Sequence, residues 1–129
     1  VLVRDLSGFR QIFSIKGYLH SIVYNLTANA IKYRSPARAP RIEVTTRLAP
    51  TEAQLIFRDN GMGIDMQKYG RKVFNLYQRF HLHVEGKGLG LYLVRTQVMA
   101  LGGRIVLNSQ PDQGCEFIVS FPLDAIQPA

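Results

Sequence analysis

One stretch of the chain decides its fold: residues 19–33, with the sequence LHSIVYNLTANAIKY. Its apolar residues recur at helical spacing, which predicts an amphipathic helix with one buried stripe. The residues of this stripe are Leu19, Ile22, Val23, Leu26 and Ala30. We expect the helix to follow the break at residues 16–17 and to end near Arg34, because a proline such as Pro36 disfavours helical geometry in the residue before it.

Polar side chains line one edge of that stripe. At about 100° per residue, Asn25, Asn29 and Lys32 fall within about 60° of one another, and Tyr33 lies on the near side of the stripe. Carboxamide oxygens can bind a hard cation such as Mg²⁺, and a lysine one helical turn away can meet a phosphate. The pattern therefore fits half of a magnesium–nucleotide site, and it also fits the ordinary polar edge of a surface helix.

Size and composition bound the possibilities. The 129 residues predict a single domain over residues 1–129, and no stretch approaches the apolar length of a membrane span. Because the chain begins at Val1 and shows no signal-peptide pattern, we expect a piece of a longer protein, whose other parts could include a membrane anchor. With Cys115 as its one cysteine, the chain cannot form an internal disulfide, which favours a reducing, cytoplasmic setting.

The chain is basic, with 16 lysines and arginines and a net charge of +7. Such a charge indicates an anionic partner: a nucleotide, a nucleic acid or an acidic protein surface. The basic residues are spread along the chain, without the interleaved aromatic ladder that a single-strand-binding groove uses. We therefore expect no nucleic-acid partner.

The rest of the chain alternates strand and helix patterns. Strands are predicted over residues 1–5, 11–15, 41–48, 53–58, 104–108 and 115–122. The alternation is clear in the third of these, with Ile42 and Val44 on one face and Glu43 on the other. A second helix is predicted from the apolar spacing after Gly90, and Gly102 should end it in the left-handed conformation.

Two glycine motifs stand next to these elements. In the first, DNGMGI over residues 59–64, glycines let the backbone approach a ligand and Asp59 is placed to accept a hydrogen bond, although the motif is also an ordinary turn sequence. The second, GKGLGL over residues 86–91, precedes a helix whose unpaired first-turn amides favour anions. It lacks the Lys-Ser/Thr pair of a Walker A loop and the strand that precedes a dinucleotide fingerprint.

Residues 65–84 are the least regular part and mix basic with aromatic residues. They are interpreted as a mobile basic lid over a phosphate or, alternatively, as a surface helix with a charged face. His81 and His83 lie two apart, but no further ligands lie nearby, which favours solvated loop histidines over a metal site.

Four motifs thus follow one another along residues 18–121: Asn-x-x-x-Asn-Ala-x-Lys-Tyr, Asp-Asn-Gly-x-Gly-Ile, Phe-x-x-Tyr-x-Arg-Phe and Gly-x-Gly-Leu-Gly-Leu. In this order they resemble the catalytic ATP-binding (HATPase) domain of bacterial sensor histidine kinases. The wider GHKL superfamily includes ATPase domains of type II topoisomerases, MutL mismatch-repair proteins and heat-shock chaperones. The resemblance implies an α/β two-layer sandwich of the Bergerat type, in which helices pack on one face of a mixed sheet and hold a nucleotide under a lid.

The resemblance also implies which residues meet the phosphates. Asn29 corresponds to the Mg²⁺-binding asparagine, and Asn25 to the polar position one turn earlier that faces the metal or the attacking water. Lys32 corresponds to a phosphate-binding lysine and Arg79 to the lid arginine that reaches the phosphates, with Lys87 assisting. ATP and Mg²⁺ are therefore the implied cofactors.

Adenine recognition is implied in the same way. Asp59 corresponds to the aspartate that accepts the adenine amino group, with Tyr33 near the base and Ile64 in the pocket wall. Gly61 and Gly63 let the chain pass beside the base, and amides of the second glycine box cradle the phosphates. The remaining implied nucleotide-binding residues are Tyr77, Gly88, Leu89, Gly90 and Leu91.

One position departs from the family pattern. The family usually has Gly-Thr-x-Phe, whose hydroxyl supports the adenine through water, whereas this chain has GCEF over residues 114–117. Because a thiol is a weak hydrogen-bond donor, the resemblance does not carry this contact over to Cys115.

The implied function is transfer of the ATP γ-phosphoryl group to a histidine on a separate helical phosphoacceptor domain, from which a response-regulator receiver domain takes it. No phosphoacceptor hairpin lies in these residues, so we expect the isolated domain to be a monomer that binds ATP without phosphorylating itself. Two alternatives stay open. One is a degenerate nucleotide-binding sensor or scaffold module, and the other is a different GHKL ATPase, which Asn25 disfavours because those hydrolases usually carry a glutamate general base there.

Overall fold

The computed structural model describes residues 2–5, 16–70, 72–75 and 90–122. Its strands are β1 (Leu2–Asp5), β2 (Ile42–Leu48), β3 (Glu52–Asp59), β4 (Arg104–Ser109) and β5 (Cys115–Pro122). Its helices are α1 (Lys16–Lys32), α2 (Met66–Tyr69) and α3 (Gly90–Ala100). None of these helices has the length and apolar character needed to cross a membrane. The described strands match their predictions to within one residue at each end, and the strand predicted over residues 11–15 lies outside the described residues.

The strands form one mixed sheet in the order β1-β2-β3-β5-β4. β1 runs parallel to β2, and the other pairings are antiparallel. The register places Asp59, the last residue of the central strand β3, between Ile42 of β2 and Cys115 of β5. The predicted mixed sheet is confirmed, and the first glycine motif begins where its central strand ends.

Helices α1 and α3 pack on one face of this sheet. Ile22 and Leu26 of α1 and Val94 and Val98 of α3 are buried in one core cluster with the apolar side chains of the sheet. The fully buried sheet residues in this cluster are Phe117, Val119 and Phe121. Full burial stabilises such a side chain by about 1.5–3 kcal/mol over exposure. The one-sided packing confirms the predicted two-layer sandwich.

Helix α1 buries a narrower stripe than its sequence predicts. Ile22, Leu26 and Ala30, each four residues from the next, are buried, whereas Val23 is 39% exposed. Val23 lies about 60° from the centre of the buried stripe, where contact with the sheet ends. The prediction that Val23 belongs to the buried stripe is therefore wrong. The helix ends at Lys32, close to the predicted end.

The other face of the sheet carries charged side chains. Arg58 Nε lies 2.5 Å from Glu116 Oε2, and Arg58 Nη1 lies 3.4 Å from Glu43 Oε1. Arg104 Nη2 lies 2.9 Å from Glu52 Oε1. The hydrogen bond from Arg58 lowers the pKa of Glu116. Such exposed pairs add little stability, but they keep this face polar and leave the apolar face to the helices.

The segment that follows the first glycine motif is attached to the core. Asp65 caps α2, because its Oδ1 accepts the backbone N–H groups of Gln67 at 3.1 Å and Lys68 at 3.2 Å. Val73 is only 2% exposed and belongs to the core cluster. The first part of the predicted lid is thus a capped turn packed on the core, and residues 76–84 of it lie outside the described residues. Gly102, with φ of 79°, ends α3 in the predicted left-handed conformation.

Candidate functional site

Asp59 presents a carboxylate that the backbone holds in place. Its Oδ1 accepts the N–H of Gly61 at 2.9 Å, and the backbone N–H of Cys115, its neighbour across the ladder, also donates to the carboxylate. Burial raises the pKa of Asp59, and the two backbone hydrogen bonds partly offset this shift. A partly buried, positioned acceptor of this kind suits a ligand that offers an amino group.

Gly61 brings this loop against the end of α1. A Cβ on Gly61 would lie 2.6 Å from the carbonyl oxygen of Tyr33 and 2.9 Å from Asp59 Oδ1, closer than any side chain can approach. The next residue, Met62, donates its N–H to the same Tyr33 carbonyl at 2.9 Å. The N–H of Tyr33 in turn donates to the carbonyl of Asn29 at 3.0 Å. Contacts through Gly61 and Tyr33 therefore connect Asp59 to the polar edge of α1.

Asn25 lies at the other end of that polar edge, next to the start of α3. Its Nδ2 donates to the carbonyl oxygen of Ser21 at 2.8 Å and to the Ser21 hydroxyl at 3.2 Å. These bonds hold the amide so that a Cβ on Gly90 would lie 3.5 Å from Asn25 Oδ1. The polar edge of α1 and the last glycine of the second glycine motif are neighbours in space, although they are far apart in the chain.

Two further predicted residues lie between these ends. Asn29 is half-buried, and its side chain makes no hydrogen bond with the described residues. The ammonium group of Lys32 lies over the ring of Tyr33, 5.3 Å from its centroid. The carboxamide oxygens of Asn25 and Asn29 belong to one edge of the helix, and oxygens of this kind suit a hard cation such as Mg²⁺.

Gly63 and the residues around it shape the wall behind the loop. Gly63 has φ of 71°, and a Cβ there would collide with the carbonyl oxygen of Gln110. Ile64 is 5% exposed and Leu91 is 6% exposed, and both side chains belong to the core cluster. Both residues thus contribute to the packing behind the loop.

Ser109 is a residue that the sequence did not single out. Its hydroxyl accepts the N–H of Ile64 at 2.8 Å and donates to the carbonyl of Gly114 at 2.7 Å. The same hydroxyl lies 3.4 Å from Cys115 Sγ, whose pKa burial raises to about 12. Ser109 thus ties the first glycine motif to the turn between β4 and β5. A serine at a strand end gives no local signal of such a distant partner.

Five predicted site residues lie outside the described part of the chain: Tyr77, Arg79, Lys87, Gly88 and Leu89. His81 and His83 lie outside it too. Among the predicted residues that are described, the fold brings together Asp59, Gly61 and Tyr33 at one end of α1, and Asn25 and Gly90 nearer its middle. The roles assigned to all of these residues remain predictions.

Comparison with known families decides the class. The model of the family described as "Histidine kinase-, DNA gyrase B-, and HSP90-like ATPase" matches residues 16–125. The chain belongs to this family. Its α/β sandwich is the fold of the GHKL ATPases, and its relatives show which branch of the family it resembles.

Several curated relatives of this ATPase domain are sensor proteins. This chain is 34% identical over 116 residues to sensor protein RprX of Bacteroides fragilis. The match covers 87% of this chain and 22% of RprX. It is 36% identical over 107 residues to cyanobacterial phytochrome A of Nostoc, covering 81% of this chain and 14% of that protein. It is 37% identical over 98 residues to the methanogenesis regulatory histidine kinase FilI of Methanothrix harundinacea. This match covers 76% of the chain and 11% of FilI. The chain therefore spans less than a quarter of the length of these relatives.

Solved structures agree with this assignment. The mycobacterial sensor histidine kinase MprB matches with a TM-score of 0.78 at 24% identity, covering 94% of this chain and 83% of that chain, which shows the shared fold. Full-length ShkA in complex with AMPPNP matches with a TM-score of 0.79 at 25% identity. The match covers 99% of this chain and 26% of the ShkA chain. The protein is thus an ATP-binding catalytic domain of the sensor histidine kinase type.

Proposed function

We propose that this ATPase domain donates the γ-phosphoryl group of Mg-ATP to a histidine on a separate helical domain of its parent protein. The observation that carries the proposal is that α1 connects two groups of residues. Tyr33 contacts the Asp59–Gly61 loop, and Asn25 faces Gly90. At about 1.5 Å per residue, Asn25 and Tyr33 are about 12 Å apart along the helix axis, a distance that an extended nucleotide can bridge.

The base belongs at the Asp59 end. The Asp59 carboxylate accepts the adenine amino group, and a nucleotide without that group leaves a buried charged acceptor unpaired, at a cost of about 1.5–3 kcal/mol. Gly61 and Gly63 bring backbone close to the base because neither has a Cβ. Tyr33 and Ile64 supply apolar surface around it.

The phosphates belong at the Asn25 end. Asn29, with Asn25 beside it, would hold Mg²⁺, which when bound neutralises charge on the phosphate oxygens. Lys32 supplies a positive charge from the same helix, and the N-terminal end of α3 favours an anion. From the sequence, further nucleotide contacts are proposed for Tyr77, Arg79, Lys87, Gly88 and Leu89.

The residue at position 25 favours phosphoryl transfer over hydrolysis. An asparagine amide cannot take a proton from water, so the domain lacks a general base at this position of α1. In the proposed transfer, the bond between the γ-phosphorus and the bridging oxygen breaks, and its electron pair stays on ADP. The lone pair of an imidazole nitrogen forms the new bond to phosphorus, and the proton on the other ring nitrogen is released.

The proposed partners follow from this reaction. They are ATP and ADP, the phosphoacceptor helices of the parent protein, and a receiver domain that takes the phosphoryl group from the histidine. We further propose that residues 1–129 act as one domain, monomeric in isolation, on the cytoplasmic side where ATP is available.

Nucleotide binding is the first test. We expect titration calorimetry of the chain with Mg-ATP and Mg-ADP to show one binding site, and the substitution Asp59→Asn to abolish binding. Asp65→Asn is the matched control, because Asp65 is an exposed helix cap and asparagine caps equally well. A wild-type chain that binds neither nucleotide would rule out the proposal.

Phosphoryl transfer is the second test. The chain is joined to the preceding helical segment of its parent and incubated with γ-labelled ATP. Acid-labile, alkali-stable label on a histidine supports kinase activity. Binding without label would indicate a degenerate sensor or scaffold module, and steady ATP hydrolysis by the chain alone would indicate another type of GHKL ATPase.

A further inference from the structure

Arg38 makes an unusual set of hydrogen bonds in the loop between α1 and β2. Its Nε donates to the carbonyl oxygen of Asn60 at 2.6 Å, and its Nη2 donates to the carbonyls of Gly61 and Asp112, each at 2.8 Å. Its Nη1 lies 3.1 Å from Asp112 Oδ1. One guanidinium therefore joins three segments that are distant in sequence: its own loop, the first glycine motif and the turn between β4 and β5.

Arg34, another basic residue of this loop, makes no comparable set of contacts. It is exposed, and among the described residues its side chain donates to the carbonyl of Ile31 alone, within its own helix end, at 2.8 Å. Arg38 is partly buried, with 31% of its side chain exposed. A planar guanidinium presents its donors as a rigid fork, which the single ammonium of a lysine cannot reproduce.

Backbone hydrogen bonds also connect the segments that Arg38 contacts. Met62 donates its N–H to the carbonyl of Tyr33 at 2.9 Å, and its own carbonyl accepts the N–H of Asp112 at 2.7 Å. Asp112 has φ of 64°, so its backbone is held in a conformation that few non-glycine residues adopt. Arg38 donates to the carbonyls of Gly61 and Asp112, next to these backbone bonds. The N–H of Gly61 in turn donates to the carboxylate of Asp59.

We propose that Arg38 is a positioning residue that holds the Asn60–Met62 loop in the geometry that accepts adenine before any nucleotide binds. The inference rests on the proposed function, because it deepens the account of the same pocket. Arg38 acts through the loop, because its hydrogen bonds to the described residues go to the carbonyls of Asn60, Gly61 and Asp112 and to the Asp112 carboxylate. Its role is thus to select a loop conformation and not to bind phosphate.

Loss of the Arg38 hydrogen bonds should lower the fraction of molecules in which the loop has the conformation that binds nucleotide. Apparent affinity falls by the fraction of molecules in the binding-competent state, so a loop that is correctly placed about one tenth of the time weakens binding about tenfold. Without Arg38, the carbonyls of Asn60 and Gly61 lose their charged donor and can turn toward solvent. The bound nucleotide would then have to order the loop at its own cost in affinity.

The test compares Arg38→Ala and Arg38→Lys with the matched control Arg34→Ala, which removes the same charge from the same loop. We expect Arg38→Ala to weaken Mg-ATP, Mg-ADP and AMP about equally, by about tenfold, because all three carry the adenine base that the loop meets and differ only in their β- and γ-phosphates. We expect Arg38→Lys to give no rescue and Arg34→Ala to bind as wild type. An arginine that acted on phosphates would weaken ATP far more than AMP.

Amide hydrogen exchange distinguishes a local effect of Arg38 on the loop from general destabilisation of the domain. In the nucleotide-free Arg38→Ala chain, exchange should speed up at the N–H groups of Met62 and Asp112 while the amides of α3 keep their protection. Mg-ADP should restore the lost protection. Uniform acceleration throughout the chain would overturn the inference, as would full rescue of affinity by lysine.

The two proposals fail in different ways. A wild-type chain that binds no adenine nucleotide overturns the proposed function and the adenine role of Arg38 together. A wild-type chain that binds Mg-ATP, with Arg38→Ala binding equally well, overturns the role of Arg38 alone.

Discussion

The carboxylate of Asp59 and the backbone N–H of Gly61 are joined by a 2.9 Å hydrogen bond in the loop that follows the central strand. Gly61 also lies so close to the Tyr33 carbonyl that no side chain fits between them. The acceptor proposed for adenine is therefore held by contacts with the protein's own backbone. A prearranged acceptor lowers the ordering cost of binding, but it requires a carboxylate to remain partly buried.

This burial predicts a conflict between stability and binding at Asp59. The pKa of Asp59 is raised above its ordinary value of 3.8 because the carboxylate is desolvated, so its ionised form opposes folding at neutral pH. We expect Asp59→Asn to raise the Tm of the nucleotide-free domain at pH 7 while it removes ATP binding. Asparagine keeps an acceptor oxygen for Gly61 and carries no charge. Calorimetric melting measures the first effect and titration the second.

The pH dependence checks the cause of that gain. A raised pKa in the folded state means that the stability contribution of Asp59 is fully present below the unfolded pKa and is lost as pH rises through the folded pKa. The advantage of Asp59→Asn should therefore shrink as the pH falls through the folded pKa and be absent below pH 3.8, where both states carry a protonated carboxyl group. Asp65→Asn, at an exposed helix cap where asparagine serves equally well, should give no gain in Tm at pH 7. A lower Tm for Asp59→Asn at pH 7 would contradict the prediction.

Because Gly61 lies so close to the Tyr33 carbonyl, adding a single methyl group at position 61 should destabilise the domain. In Gly61→Ala the new Cβ would meet the Tyr33 carbonyl at 2.6 Å, and a backbone atom cannot move aside cheaply. We expect a loss of about 1–3 kcal/mol in the free energy of unfolding, typical of overpacking, together with weaker ATP binding.

Gly17→Ala is the matched control for Gly61→Ala. Gly17 lies in α1, and no atom of the residues that the structure describes lies within 4 Å of the position of its Cβ. Alanine there should stabilise the helix by about 0.5–1 kcal/mol. Urea unfolding and ATP titration measure both variants, and equal behaviour of the two would exclude the steric explanation.

The thiol of Cys115 should be unreactive in the folded domain. Burial is the main cause that raises the pKa of Cys115 to about 12, and the charge of Asp59 adds to it. At pH 8 only about one thiol in ten thousand is then ionised, and the thiolate is the reactive form. Labelling with iodoacetamide should be slow in buffer and fast in denaturing urea, and rapid labelling of the folded chain would contradict the expected burial.

Gln97 offers a test of core packing away from the site. Its Oε1 is buried and has no hydrogen-bond partner in the described structure. A buried, unsatisfied polar group costs about 1–3 kcal/mol, so Gln97→Leu, of similar size, should raise the free energy of unfolding by about 1 kcal/mol. Gln67→Leu, at an exposed position of α2, should give no such gain. Destabilisation by Gln97→Leu would mean that this oxygen has a partner in solution.

The secondary structure could be predicted because its signals are local. Apolar spacing predicted α1 and α3, and alternation predicted β2 to within one residue. The error at Val23 has a physical reason: spacing shows which residues share a face, but the width of the buried stripe depends on how closely the helix approaches the sheet. No pattern within α1 contains that distance.

The sequence alone thus predicted α1, α3 and the described strands. The family resemblance of its motifs supplied the mixed sandwich and the residue types around a nucleotide. Only the tertiary structure decided which distant groups meet: Asn25 with Gly90, Ser109 with Ile64, and Arg38 with Asp112. The reason is that propensity and periodic burial act between neighbours in the chain. A guanidinium or a hydroxyl, by contrast, finds its partner only after the sheet and helices have packed and brought remote loops within hydrogen-bonding distance.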